Sequence, residues 1–155
     1  MSLWTELAFL VVETSAPLAE VAAALPVPTT LVNTAPRSWA LAKTIHHGQD
    51  YEANTTDFAL FALDGKVVVA PPGGIFMRTG ETDWPRALSA RFGTVWGFTA
   101  ADDAPSVIRF DAGEETTRSE PESETVVLAE LARHLGTRDL PELLRSGECV
   151  LGRAG

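Results

Sequence analysis

Phe58-Ala59-Leu60-Phe61-Ala62-Leu63-Asp64-Gly65-Lys66-Val67-Val68-Val69 is the stretch that decides the fold. Two apolar runs flank Asp64-Gly65, a dipeptide that accepts the positive φ angles of a two-residue type I′ turn, so the pattern predicts a β-hairpin. Both arms are mostly apolar, so the hairpin is placed centrally in a sheet. Downstream, Pro71-Pro72-Gly73-Gly74 ends the second arm, and Ile75-Phe76-Met77 is short enough to resume pairing only briefly.

Outward from this unit the chain alternates strands with helices. Leu7 through Val12 is a continuous apolar run that reads as a buried strand. Ser15 is positioned to cap a helix over 17–25, with Leu18, Val21, Ala22 and Leu25 at helical spacing and Pro26 and Pro28 stopping it. A β-branched stretch over 29–33 predicts a short strand, alternation over 38–45 a further one, and the polar run from His46 to Thr56 a loop.

After the hairpin, Asp83 is placed to cap a helix with Pro85 in its first turn, Leu88 and Phe92 on one face, and Gly93 as its stop. Strands follow around Val95 to Phe98 and Val107 to Phe110, and a third over 115–118 is expected to pair across Ala112-Gly113. Val127, Leu128, Leu131 and Leu135 predict an amphipathic helix over 124–135, ended by Gly136, with a short helix around 141–145 beyond it. Residues 147–155 read as a short edge strand or a loosely held tail. The expected fold is a single α+β domain spanning 1–155, with an antiparallel or mixed sheet of about five to seven strands and two or three helices packed against it.

Length and charge limit the function. A chain of 155 residues can bury roughly 70% of the surface of its unfolded form, and 45% hydrophobic content with four Trp and seven Phe argues for a packed core. The net charge is −9, and between Asp102 and Glu130 nine carboxylates face only Arg109 and Arg118. Such a field repels phosphate backbones and anionic lipid, so neither nucleic acid nor a membrane is an expected partner. The lone Cys149 and the absence of an export pattern predict a cytoplasmic protein without an internal disulfide.

No catalytic constellation emerges, and neither a metal nor a cofactor is expected. His46 and His47 lie near Asp50 and Glu52, yet neighbouring residues of an extended segment point to opposite sides and cannot easily serve one substrate atom. His134 falls near a helix C-terminus, where its cationic form suits the helix dipole. Cys149 has Arg145 and Arg153 nearby in sequence but no His at a catalytic offset. Pro72-Gly73-Gly74 lacks the Lys-Ser/Thr pair of a phosphate loop, and Ser89 lacks the glycines of a nucleophile elbow.

Three function classes remain. The first is a non-enzymatic protein-binding module presenting Glu114, Glu115, Glu120, Glu122 and Glu124 to another protein of basic character. The second is a small-molecule-binding protein or enzyme in which His46, His47, Trp39, Trp84 and Trp96 line a pocket. The third is a structural or assembly subunit. Asp64-Gly65-Lys66-Val67-Val68-Val69, Leu88-Ser89-Ala90-Arg91-Phe92-Gly93-Thr94-Val95-Trp96-Gly97-Phe98 and Arg109-Phe110-Asp111-Ala112-Gly113 stand in an order that resembles uncharacterised small α+β proteins of actinobacteria. Some of these are similar to toxin-immunity proteins. The resemblance implies no catalytic residue; the binding module is favoured because the sequence carries a dense acidic segment and no reactive constellation.

Overall fold

In the computed structural model, Asp64 and Gly65 both adopt positive φ, 23° and 79°, as a type I′ turn requires. The model describes residues 7–38, 57–70, 81–100 and 105–154. In chain order the elements are β1 (Leu7–Val12), α1 (Leu18–Ala23), β2 (Thr29–Pro36), β3 (Asp57–Leu63), β4 (Lys66–Ala70), α2 (Glu81–Phe92), β5 (Thr94–Ala100), β6 (Ser106–Asp111), β7 (Glu114–Ser119), α3 (Glu124–His134), α4 (Leu140–Arg145) and β8 (Glu148–Ala154).

The eight strands form one antiparallel sheet in the order β2-β8-β3-β4-β1-β5-β6-β7. The α+β class and antiparallel pairing agree with the sequence reading, but eight strands and four helices among the described residues exceed the expected five to seven and two or three. The strand expected over 38–45 and the one at Ile75-Phe76-Met77 lie outside the described residues, apart from Ser38 at the margin of the first. The larger number comes from the C-terminal segment. Residues 148–154 are neither an edge strand nor loosely held: β8 lies inside the sheet, pairing with β2 through Ala35↔Cys149 and with β3 through Ala59↔Leu151.

Strand alternation sends side chains to two separate cores. Phe9, Val11, Phe61, Val68 and Phe98 meet Val127 and Leu131 of α3 and Leu140 and Leu144 of α4 on one face. Leu10, Val12, Phe58, Leu60, Val67 and Val69 meet Val21 and Ala22 of α1 and Trp84 and Leu88 of α2 on the other. Helices on both faces explain why β1, β3 and β4 read as unbroken apolar runs, a pattern more usual in parallel sheets.

Helix starts differ from the sequence reading. Pro17, not Ser15, is the N-cap residue of α1, with no side-chain cap bond; Thr14 instead accepts from the Ala16 amide at 3.1 Å. Helix α2 begins at Glu81, so Asp83 and Pro85 lie inside it. Pro85 forfeits one backbone bond, that to the Glu81 carbonyl at the start of the ladder. Gly93 does stop α2, at φ 105°, its amide bonding the Ser89 carbonyl at 2.8 Å.

A buried clamp fixes the β6–β7 hairpin to α2. The Ser89 hydroxyl donates to the Arg86 carbonyl (3.1 Å) and accepts from the Gly113 amide (2.9 Å), while the Ala112 amide bonds the Gly93 carbonyl at 2.9 Å. Ala112 and Gly113 take φ of 51° and 89°. One edge of the sheet, β7, is thereby held in a defined position relative to its neighbours.

Candidate functional site

The five acidic residues proposed from sequence do not share one face. Glu115 is committed to Arg118, 2.7 Å away, and this hydrogen bond, aided by the fields of Arg118 and of Arg86 on α2, holds its carboxyl below the ordinary glutamate range. Glu124 opens α3. Glu114, Glu120 and Glu122 are exposed at the start of β7 and in the β7–α3 connection, and have no ion-pair partner among the described residues.

The remaining sequence candidates are also separated. His46, His47 and Trp39 lie outside the described residues. Trp84 is 1% exposed and meets Phe58 edge-on, centroids 5.7 Å apart, in the core beneath α2. Trp96 is half-buried on the opposite face, beneath α3. The sheet separates these two tryptophans, so they line no common pocket.

Around Trp96 the structure assembles a site that sequence reasoning passed over. A cleft of about 450 Å³ opens between the β6–β7 hairpin and α3, lined by Trp96, Val107, Pro121 and Val126 together with Thr117, Arg118, Ser119, Glu122 and Glu130. Strand register sets its floor: Trp96 pairs with Arg109, which pairs with Thr117, and Val107 pairs with Ser119. Helix α3 sets its wall, because Val126 and Glu130 are one turn apart. The Arg109 guanidinium lies 5.4 Å from the Trp96 ring centre, and the His134 ring lies 4.5 Å from it on the other element. His134 also meets Phe98 edge-on, and its Nδ1 lies 3.1 Å from the Glu130 carbonyl.

Arg109 is held in place by Asp111, whose carboxylate accepts from Thr94 and Thr116 at 2.7 Å each and from Arg109 Nε at 2.9 Å. These hydrogen bonds, that of Thr94 foremost, hold the Asp111 carboxyl down at about 2. Because the folded value lies below the ordinary ~3.9 of an unfolded aspartate, the contribution is fully present above about pH 4 and lost as pH falls towards 2. Urea midpoints measured across this range should fall more steeply for the native chain than for Asp111→Asn. Parallel curves for the two would refute that role.

Cys149 is buried, and burial pushes its thiol up to about 11 despite the opposing field of Arg37. It is protonated at neutral pH and unsuited to nucleophilic attack. Its cationic neighbour is Arg37, rather than the Arg145 or Arg153 that sequence proximity suggested. Arg37 stands 4.1 Å over the Phe61 ring and donates to the Leu143 carbonyl at 2.7 Å, tying the end of β2 to α4. Its pKa is lowered by burial.

Among the described residues no group of three or more His, Cys, Asp and Glu is placed to hold a metal ion. No helix among them is long and apolar enough to cross a membrane. A second depression, of about 430 Å³ between α1 and α2, is lined by Ala23, Ala24, Ala87 and Ala90 with Glu20 and Arg91.

Comparison with known proteins gives no relative. No family model, curated protein or solved structure matches the chain. The site is therefore argued from its own chemistry. Its distinguishing character is an apolar, tryptophan-floored cleft beside an excess of negative charge: residues 109–134 carry seven carboxylates against three arginines.

Proposed function

We propose that this chain is a non-enzymatic protein-binding module of the immunity type, which receives a basic protein on the side formed by β7 and the start of α3. The observation that carries this reading is the conjunction of exposed Glu114, Glu120 and Glu122 with the half-buried Trp96 in the adjoining cleft. Interfaces combine a desolvated aromatic centre with a polar rim, and complementary charge on the rim accelerates encounter and rejects wrong partners. An acidic rim selects a basic protein and disfavours nucleic acid. A cytoplasmic setting fits the unpaired, buried thiol.

Two arrangements on this face serve a partner surface better than a reaction. Asp111 is saturated by Thr94, Thr116 and Arg109, and Glu115 is occupied by Arg118. The carboxylates left over stand in solvent, where they can meet a partner's cations.

The test is charge reversal. A partner recovered on the immobilised chain at low salt is identified, and its association rate is measured with the native chain and with Glu114→Lys/Glu120→Lys/Glu122→Lys. The reversed chain is expected to associate about tenfold more slowly or worse, with most of the difference lost at high salt. An unchanged rate would overturn the reading.

A further inference from the structure

The rim selects charge, but the cleft behind it has a shape and a chemistry of its own. Its walls are apolar at Trp96, Val107, Pro121 and Val126 and polar along β7 at Thr117, Arg118 and Ser119, where the Arg118 guanidinium is already held by Glu115; its acidic groups are Glu122 and Glu130. Glu122, Val126 and Glu130 recur every four residues along and just ahead of α3, so the valine sits between two carboxylates. Val126 is 42% exposed, outside the buried stripe of Val127 and Leu131 on the same helix. Apolar walls on one side, leading to two carboxylates, match a side chain with a methylene stem and a cationic head.

Two lining groups already bind guanidinium ions of this same chain. The Trp96 ring has Arg109 stacked beside it at 5.4 Å, and the Glu130 carboxylate is hydrogen-bonded to Arg133. The Arg133 side chain is 71% exposed, so that pair is weak and open to exchange with an incoming cation. Guanidinium is favoured over ammonium at such a place because its planar fork can meet a carboxylate with two parallel N–H bonds.

We infer that the cleft receives a single arginine side chain from an incoming basic polypeptide, its stem on Trp96, Val107 and Val126 and its guanidinium at Glu122 and Glu130. This rests on the proposed acidic binding surface and names the residue that surface reads. Glu114 and Glu120 steer the partner, and the cleft chooses its anchor.

The probe is a pair of short synthetic peptides, one with a central arginine between lysines and one with citrulline, its uncharged near-isostere, at that position. Each is titrated into the isotopically labelled full chain and followed by NMR. The arginine peptide is expected to move the Trp96 indole N–H and the Val107 and Val126 methyl resonances. It should bind about tenfold more tightly than the citrulline peptide, the difference expected for a charge-assisted contact. Glu122→Gln/Glu130→Gln should abolish that preference, and Val126→Ser should weaken the arginine peptide while the fold, read from the remaining methyl spectrum, is kept. Equal binding of the two peptides, or shifts confined to residues around Glu114 and Glu120, would overturn the arginine anchor and leave the acidic surface standing. Failure of both peptides to bind would remove both.

Discussion

Gly152→Ala is expected to lower stability by about 3 kcal/mol, near the upper end of the range for forcing extra atoms into a packed core. Gly152 of β8 lies directly across from Phe58 of β3. A methyl group there would stand 2.7 and 2.8 Å from two ring carbons of Phe58 and closer still to a third, Cζ. The ring cannot swing aside, because Phe58 is fully buried and wedged edge-on against Trp84. Since domains of this kind are stable by only about 5–15 kcal/mol, the loss would be large. It should appear as a lower urea midpoint, and combining it with Phe58→Leu should cost less than the sum of the two single changes. A Gly152→Ala protein within about 0.5 kcal/mol of the native one would show that the ring has room to yield.

The second large effect is expected at Leu131→Ala, with a loss of about 2–5 kcal/mol. Leu131 is fully buried and, with Val127, anchors α3 over the β5 end of the sheet. The same helix carries Val126 and Glu130 along the cleft, so loosening it should degrade the binding site as well as the core. Val126→Ser provides the contrast: it lies on the exposed side of α3 and should change stability by no more than about 0.5 kcal/mol. Equal urea midpoints for the two variants would contradict the assignment of the buried and exposed faces of α3.

Much of the local structure was legible because it is decided by neighbours in the chain. Asp64-Gly65 requires a turn with positive φ whatever surrounds it, and Ala112-Gly113 and Gly136 take the left-handed conformation as expected. Period-four leucines made α3 plain. Long-range pairing leaves no such mark. Glu148–Ala154 is ordinary as a sequence, and only its place between β2 and β3 gives Cys149 and Leu151 their burial.

The candidate site was half legible for the same reason. Acidic composition is visible directly, but the commitment of Glu115 to Arg118 depends on how the edge strand is bent at its bulge. Trp84 and Trp96 are close in sequence, and nothing in the intervening residues states that a sheet runs between them. The cleft around Trp96 needed the β5-β6-β7 register and the angle of α3. Trp96 and Glu122 stood out in the sequence, but under separate readings; Val126, an apolar residue beside the buried stripe and between Glu122 and Glu130, was the further signal that could have joined them.

The position of β8 also has a temporal meaning. Among the described residues β2 neighbours only β8 in the sheet, and the two meet with Thr29 facing Ala154, far apart in the chain. During synthesis, β1, β3 and β4 can associate as soon as they emerge, but β8, the partner of β2 among the described strands, is made after all the others. Until then one flank of β3 is open, and its backbone amides and carbonyls are available to any other extended segment. A chain built this way is most exposed to mispairing in the interval before β8 emerges, when contacts between distant parts of the sequence are still to be made.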